Sequence, residues 1–232
     1  MTQFSSLFSR YDRLVLFDTE TTGLAFARDE IIEFAAVALE CRNGECTVVE
    51  EYDQLIALTP GNSVPPKITE LTGITNEALR ERGISKTQLA QDLTRLITPN
   101  TLLLAYNAHF DLSFLFYFLH KHGDISLLQG KDKLDLLTVY RDRHSFPHRL
   151  FNAIEVYGLT GQVVNSHRAV DDVLATVAVM GKMEEETADL EQYINLFGYI
   201  ERFGVDGKPI RSVTYRPQGF DPRGPIYKEG SV

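Results

Sequence analysis

The chain has 232 residues, 44% of them apolar and 24% charged, with a formal net charge of −9. That is enough chain to bury a core, and its acidity argues against wrapping long nucleic acid by neutralising phosphates, or binding an anionic membrane surface. No apolar run approaches the roughly 18 residues of a membrane span, and the opening MTQFSSLFSRYDR lacks the apolar stretch of a secretory signal, so a cytoplasmic location is expected.

Residues 14–18 (LVLFD) read as a buried strand. Residues 31–39 and 47–57 continue as strands, with Asn43-Gly44 as the hairpin turn between them, so the first three strands form an antiparallel meander. Cys41 and Cys46, the only cysteines, flank that turn and read as reduced thiols. Residues 66–98 are helical in pieces, with Asn76 and Ser85 as N-caps and Pro99 after the last piece. A fourth strand is expected at 101–105, a helix at 111–122, a fifth strand within 125–135 and a short helix at 135–142. A basic loop (143–149) and helices at 150–157, 168–186 and 189–197 complete a domain over residues 1–198. From 199 to 232 the chain turns proline-rich and mildly basic, with a hairpin signal at Asp206-Gly207. This stretch is expected to be an appendage packed on the domain.

Four acids and a histidine carry the chemistry. Asp18 and Glu20 are two apart on a strand, so they share one face, and Thr19 points to the other. Four apolar residues precede Asp18, which argues against a solvated face. Asp111 sits where a helix opens, six residues after a buried strand; taken alone it reads as a cap or first-turn acid. His167 and Asp172 are five apart, about 500° around a helix, so His167 belongs to the loop before the helix and Asp172 to its early turns. Periodicity does not choose between Asp171 and Asp172. If four such acids cluster about 6 Å apart, each ionised pair repels by nearly 3 kcal/mol at an effective dielectric of about 20. Two divalent cations would relieve that repulsion, and an oxygen-only donor set selects hard ions, Mg²⁺ or Mn²⁺. Two such ions suit in-line phosphoryl displacement.

FDTETTGL (17–24), NAHFD (107–111) and HRAVDD (167–172), in that order, resemble the three exonuclease motifs of the DEDDh family, which includes the proofreading epsilon subunit of bacterial DNA polymerase III. The resemblance runs from about residue 12 to 182, and 70-ELTGIT-75 also resembles a segment the family places beside the substrate. It implies an α/β, RNase H-like fold, a five-stranded mixed sheet flanked by helices. It implies Asp18, Glu20, Asp111 and Asp172 as ligands of two Mg²⁺ or Mn²⁺ ions, with Asp172 rather than Asp171 completing the third motif. His167 resembles the general base, and Thr21, Leu24, Thr72 and Phe110 fall where the family contacts the terminal nucleotide, with Leu24 wedged against its base. Tyr106 departs from the histidine that often precedes the asparagine of the second motif. The expected function is a 3′→5′ exodeoxyribonuclease acting on the 3′ end of single-stranded or frayed DNA, stand-alone or as a separable subunit, with a polymerase or another DNA-processing protein as a further partner. The alternative is a 3′→5′ exoribonuclease of the ribonuclease T or oligoribonuclease type.

Overall fold

A computed structural model describes residues 4–196. The appendage expected from 199, with its Asp206-Gly207 hairpin, lies outside the described residues. In chain order the elements are α1 (Ser5–Phe8), β1 (Arg13–Thr21), β2 (Ile31–Arg42), β3 (Glu45–Leu55), α2 (Pro66–Thr72), α3 (Asn76–Arg82), α4 (Lys86–Leu96), β4 (Thr101–Ala105) and α5 (Ala108–His122). They continue through a 3₁₀ turn (Ile125–Leu128), β5 (Lys133–Asp135), α6 (Leu136–Arg143), α7 (Leu150–Val156), α8 (Ala169–Glu186) and a second 3₁₀ turn (Leu190–Tyr193).

The strands form one mixed sheet in the order β3-β2-β1-β4-β5. β1 is antiparallel to β2 and parallel to β4; β3 extends the antiparallel side and β5 the parallel side. The Asn43-Gly44 turn follows from its residues: both take positive φ, 53° and 84°, and so match the twist of the strands they join. Cys41 and Cys46 face each other across this hairpin as free thiols.

β1 is covered on both faces, which explains its unbroken apolar run. Leu14 and Leu16 join a core with Val139 of α6, Ile154 of α7 and Val173 of α8. Val15 and Phe17 join a second core with Leu93 of α4 and Leu112 and Leu115 of α5. Burying each such leucine contributes about 2 kcal/mol of transfer free energy. Alternation then carries Asp18 and Glu20 onto the α8 side.

Three expectations are corrected. Asn76 does not cap α3: Thr75 does, accepting from the Ala78 amide at 3.1 Å, while the Asn76 carboxamide accepts from the Val64 amide at 2.8 Å. Both residue types can cap, and here the asparagine ties the preceding loop. α5 starts at Ala108, so Asp111 lies in its first turn and not at its cap. The fifth strand does fall within 125–135, as its last three residues, after a turn at Gly130 (φ 69°). The segment 189–197 begins as a 3₁₀ turn, not an α-helix, and ends on Asn195 at φ 61°. The Asn195 amide donates to the Lys133 carbonyl at 2.7 Å and its side-chain oxygen accepts from the Lys133 amide at 3.0 Å, which satisfies the open edge of β5. Ser85 caps α4 as expected, accepting from the Gln88 amide at 3.1 Å.

Candidate active site

The site lies where β1 runs past the end of β4. Pairing between these strands stops at Leu16 opposite Leu104, so the next residues of β1 have no strand partner on that side. The start of α5 fills the gap. Asp111, 2% exposed, accepts from the Thr19 amide at 2.9 Å and from the Thr19 hydroxyl at 2.7 Å. Thr19 does point away from Asp18 and Glu20, and it uses that orientation to hold Asp111. The start of α5 is set in turn by buried Asp135, whose Oδ1 accepts from the amides of Asn107 and Ala108 at 3.0 and 3.1 Å.

From the other side, α8 brings Asp172. Asp18, Glu20 and Asp172 each offer a carboxylate oxygen, and the three oxygens lie within 4.8 Å of one another. Asp171 is outside this group and accepts from the Ser166 hydroxyl. Asn165 donates to Asp172 at 2.5 Å, which fixes its carboxylate from the loop before α8. His167 is exposed on that loop at φ 58°. It sits close enough that its charge favours the ionised form of Asp172, against the burial that pushes that acid up.

The electrostatics are those of carboxylates crowded without enough positive charge. Burial, and then the neighbouring Asp111, Asp172 and Glu20, hold Asp18 well above the usual carboxylate range. Burial followed by Asp172 and Glu33 pushes Glu20 up to about 8. Asp111 is pushed up to about 7 by burial, in spite of the hydrogen bonds from Thr19. Arg168, whose charge reaches Glu20, is already bonded to Glu33. Such a donor set, all oxygen and starved of cations, fits hard divalent metal ions.

The nucleotide-contact candidates differ in exposure. Leu24 is 82% exposed at the tip of the β1–β2 connection. Its loop is tied by the Thr21 hydroxyl donating to the Gly23 carbonyl at 2.6 Å and the Ala25 amide donating to Asp29 at 2.7 Å. At Gly23 a Cβ would come within 2.4 Å of the Asp29 carboxylate, so any side chain there would displace that acid from the Ala25 amide. Phe110 is half-buried with its ring 5.0 Å from that of Phe114. Thr72 is buried, and its hydroxyl donates to the Ile68 carbonyl and accepts from the Ile74 amide, so it finishes α2. Tyr106 donates to the His148 carbonyl at 2.9 Å and ties the basic loop to the end of β4.

An exonuclease family model matches residues 15–180. The chain belongs to the exonuclease family. A PolC-type DNA polymerase III from Latilactobacillus sakei is 32% identical over 82% of this chain but only 12% of its own length, and the 3′-5′ exonuclease DinG of Bacillus subtilis is 33% identical over 63% of this chain and 17% of its own. The DNA polymerase III epsilon subunit of Treponema pallidum is 33% identical, over 67% of this chain and 69% of that protein. Escherichia coli exonuclease I in complex with a dA16 oligonucleotide shares the fold, with a TM-score of 0.67 at 23% identity over 78% of this chain and 42% of that one. The exonuclease domain described here is therefore RNase H-like, as the motifs implied. Among the described residues no helix is long and apolar enough to cross a membrane.

The sequence reading missed Glu33, Arg168, Asn165 and Asp135. A signal existed for Glu33 and Asp135, since each is an acid inside or beside an apolar run (IIEFAAVAL, KLDLL), the pattern that singled out Asp18. Nothing in local patterning singles out Asn165.

Proposed function

We propose that the protein is a 3′→5′ exodeoxyribonuclease that releases nucleoside 5′-monophosphates from the 3′ end of single-stranded or frayed DNA. The observation that carries this reading is the meeting of Asp18, Glu20 and Asp172 within 4.8 Å, with Asp111 held beside Asp18 by Thr19. Two Mg²⁺ or Mn²⁺ ions held by these four acids would supply Lewis acidity at the scissile phosphodiester. Asp18, Glu20, Asp111 and Asp172 would hold these ions, with Asp18 as the ligand the resemblance assigns to both. His167 takes the proton of the attacking water on a ring nitrogen, a role that suits an exposed side chain beside the acids. Leu24 would wedge against the terminal base, with Thr21, Thr72 and Phe110 contacting the same nucleotide. Relatives named as parts of DNA polymerase III support a DNA substrate and a polymerase as companion.

The test is digestion of matched single-stranded DNA, double-stranded DNA and RNA oligonucleotides carrying a label at either end. Stepwise loss of a 3′ label from DNA, dependent on Mg²⁺ or Mn²⁺, is the expected result. Preferential loss from RNA would replace the reading with an exoribonuclease, and turnover in EDTA would overturn the metal assignment.

A further inference from the structure

Glu33 is the most deeply placed acid near the site. It is 0% exposed on β2 and stands directly opposite Glu20 in the β1–β2 register. An unpartnered ionised carboxylate there would cost several kcal/mol, and it would also repel Glu20 across the strand pair. Its partners come from the third motif, 135 residues on. Arg168 Nε donates to both Glu33 oxygens at 2.9 and 3.1 Å, Arg168 Nη2 donates to Oε1, and the Ala169 amide donates to Oε2 at 2.8 Å. The planar guanidinium fork makes this a directional grip, which an ammonium group does not provide.

The gripped residues directly follow His167. That histidine holds a left-handed backbone, φ 58°, which costs a non-glycine residue about 1 kcal/mol and persists only when its surroundings impose it. The surroundings are visible residue by residue. Asn165 is tied to Asp172 and Ser166 to Asp171, both within α8, whereas Arg168 is tied to the sheet. The Glu33–Arg168 pair is thus the tie that refers the His167 loop to the strand carrying Glu20's partner, and not merely to its own helix.

We infer that Glu33 and Arg168 are positioning residues that set the backbone of His167 against the β1 acids; the inference rests on the reading of His167 as the general base. A plain helix anchor would require only the Ala169 amide bond. The bidentate arginine adds orientation at the residue next to the base.

The experiment is single-turnover hydrolysis of a 3′-labelled DNA oligonucleotide at saturating Mn²⁺, with oligonucleotide affinity measured separately. The variants are Arg168→Lys and the double variant Glu33→Gln/Arg168→Gln, which removes both charges so that neither is left buried alone. Each is made in the wild-type and the His167→Ala background. In the wild-type background both variants should lose roughly 10- to 100-fold in rate, the scale of a misplacement of about 1 Å, with affinity changed less than about threefold. In the His167→Ala background the same changes should alter the rate less than about twofold, because residues acting through one group are not additive. Wild-type rates for both variants, or equal fold-losses in the two backgrounds, would overturn the clamp. Loss of the cooperative thermal melt in both would overturn it in favour of a purely structural anchor. A wild-type rate for His167→Ala alone would instead remove the general-base reading, and the clamp with it.

Discussion

Replacing Glu20 by glutamine should change how the stability of the protein depends on pH when metal is removed. In the folded chain burial, Asp172 and Glu33 push Glu20 from 4.5 up to about 8. A carboxyl raised in this way binds its proton more tightly folded than unfolded. Its contribution is therefore intact below about pH 4.5 and is lost as pH rises towards 8. Each pH unit inside that window is worth about 1.4 kcal/mol, so between pH 5 and 8 Glu20 alone would cost about 3 kcal/mol. Glu20 is partly open to water, and screening reduces this to on the order of 2 kcal/mol. For a domain of this size that is roughly 4–8 °C in melting temperature. Asp111, pushed up to about 7, and Asp18, held above the usual range, act in the same direction, so the part due to Glu20 is read as the difference between wild type and variant. Glu30, held at about 2 against its burial by Lys86, Asn62 and Thr59, changes only at lower pH. His109 and His122, both lowered by burial, favour the fold as pH rises and so run the opposite way. The assay is thermal unfolding in EDTA at pH 5, 6, 7 and 8 for wild type and Glu20→Gln, repeated with saturating Mn²⁺. In EDTA the variant should gain on the wild type as pH rises, and Mn²⁺ should stabilise the wild type most at pH 8. Parallel pH profiles for the two proteins in EDTA would refute the picture of carboxylates repelling across an empty charge centre.

Asp172→Ala should lose several orders of magnitude in hydrolysis rate while Asp171→Ala keeps most of it, because only Asp172 meets Asp18 and Glu20; equal losses in two folded variants would undo the assignment. His167→Ala should cost about 10²–10⁴ in single-turnover rate, the range for a positioned base, with Mn²⁺ affinity retained by calorimetry; a matching loss of metal affinity would make His167 a ligand instead. With a net charge of −9, the strand should be held at its end, so the slope of log affinity against log salt should correspond to only about two to four phosphates. A slope near eight would reveal a long basic groove, with the 143–149 loop as its first candidate.

Much of this was legible from residue pattern alone because the relevant signals are local. The Asn-Gly turn fixes the β2–β3 hairpin, the unbroken apolar run of β1 announces burial on two faces, and the i, i+2 spacing puts Asp18 and Glu20 together. The placement of His167 before a helix and Asp172 within it followed from angular arithmetic, and the structure has both. The failures concern choices between chemically equivalent neighbours. Thr75 and Asn76 can each cap, and only the loop at Val64, twelve residues away, decides which one does. β5 falls within the expected stretch but is three residues long, following the turn at Gly130. Glu33 went unread because its partner, Arg168, lies 135 residues distant, and nothing in a strand sequence reveals which helix end will reach it.

The way the acids are shared among elements has a backbone cause. β1 outruns β4, so the Thr19 amide faces a gap where the next strand would have been, and a buried amide there must find an acceptor. Asp111 is that acceptor. The requirement that closes the backbone's hydrogen bonding thus also delivers an acid beside Asp18. On the opposite side Glu33 does the same for the first amide of α8, and that helix delivers Asp172. Two carboxylates thus accept from main-chain amides, Asp111 of α5 from Thr19 of β1 and Glu33 of β2 from Ala169 of α8. These bonds set α5 against β1 and α8 against β2. The repulsion among the acids is therefore carried by a scaffold that these bonds assemble, and it is expressed as raised proton affinity at Asp18, Glu20 and Asp111.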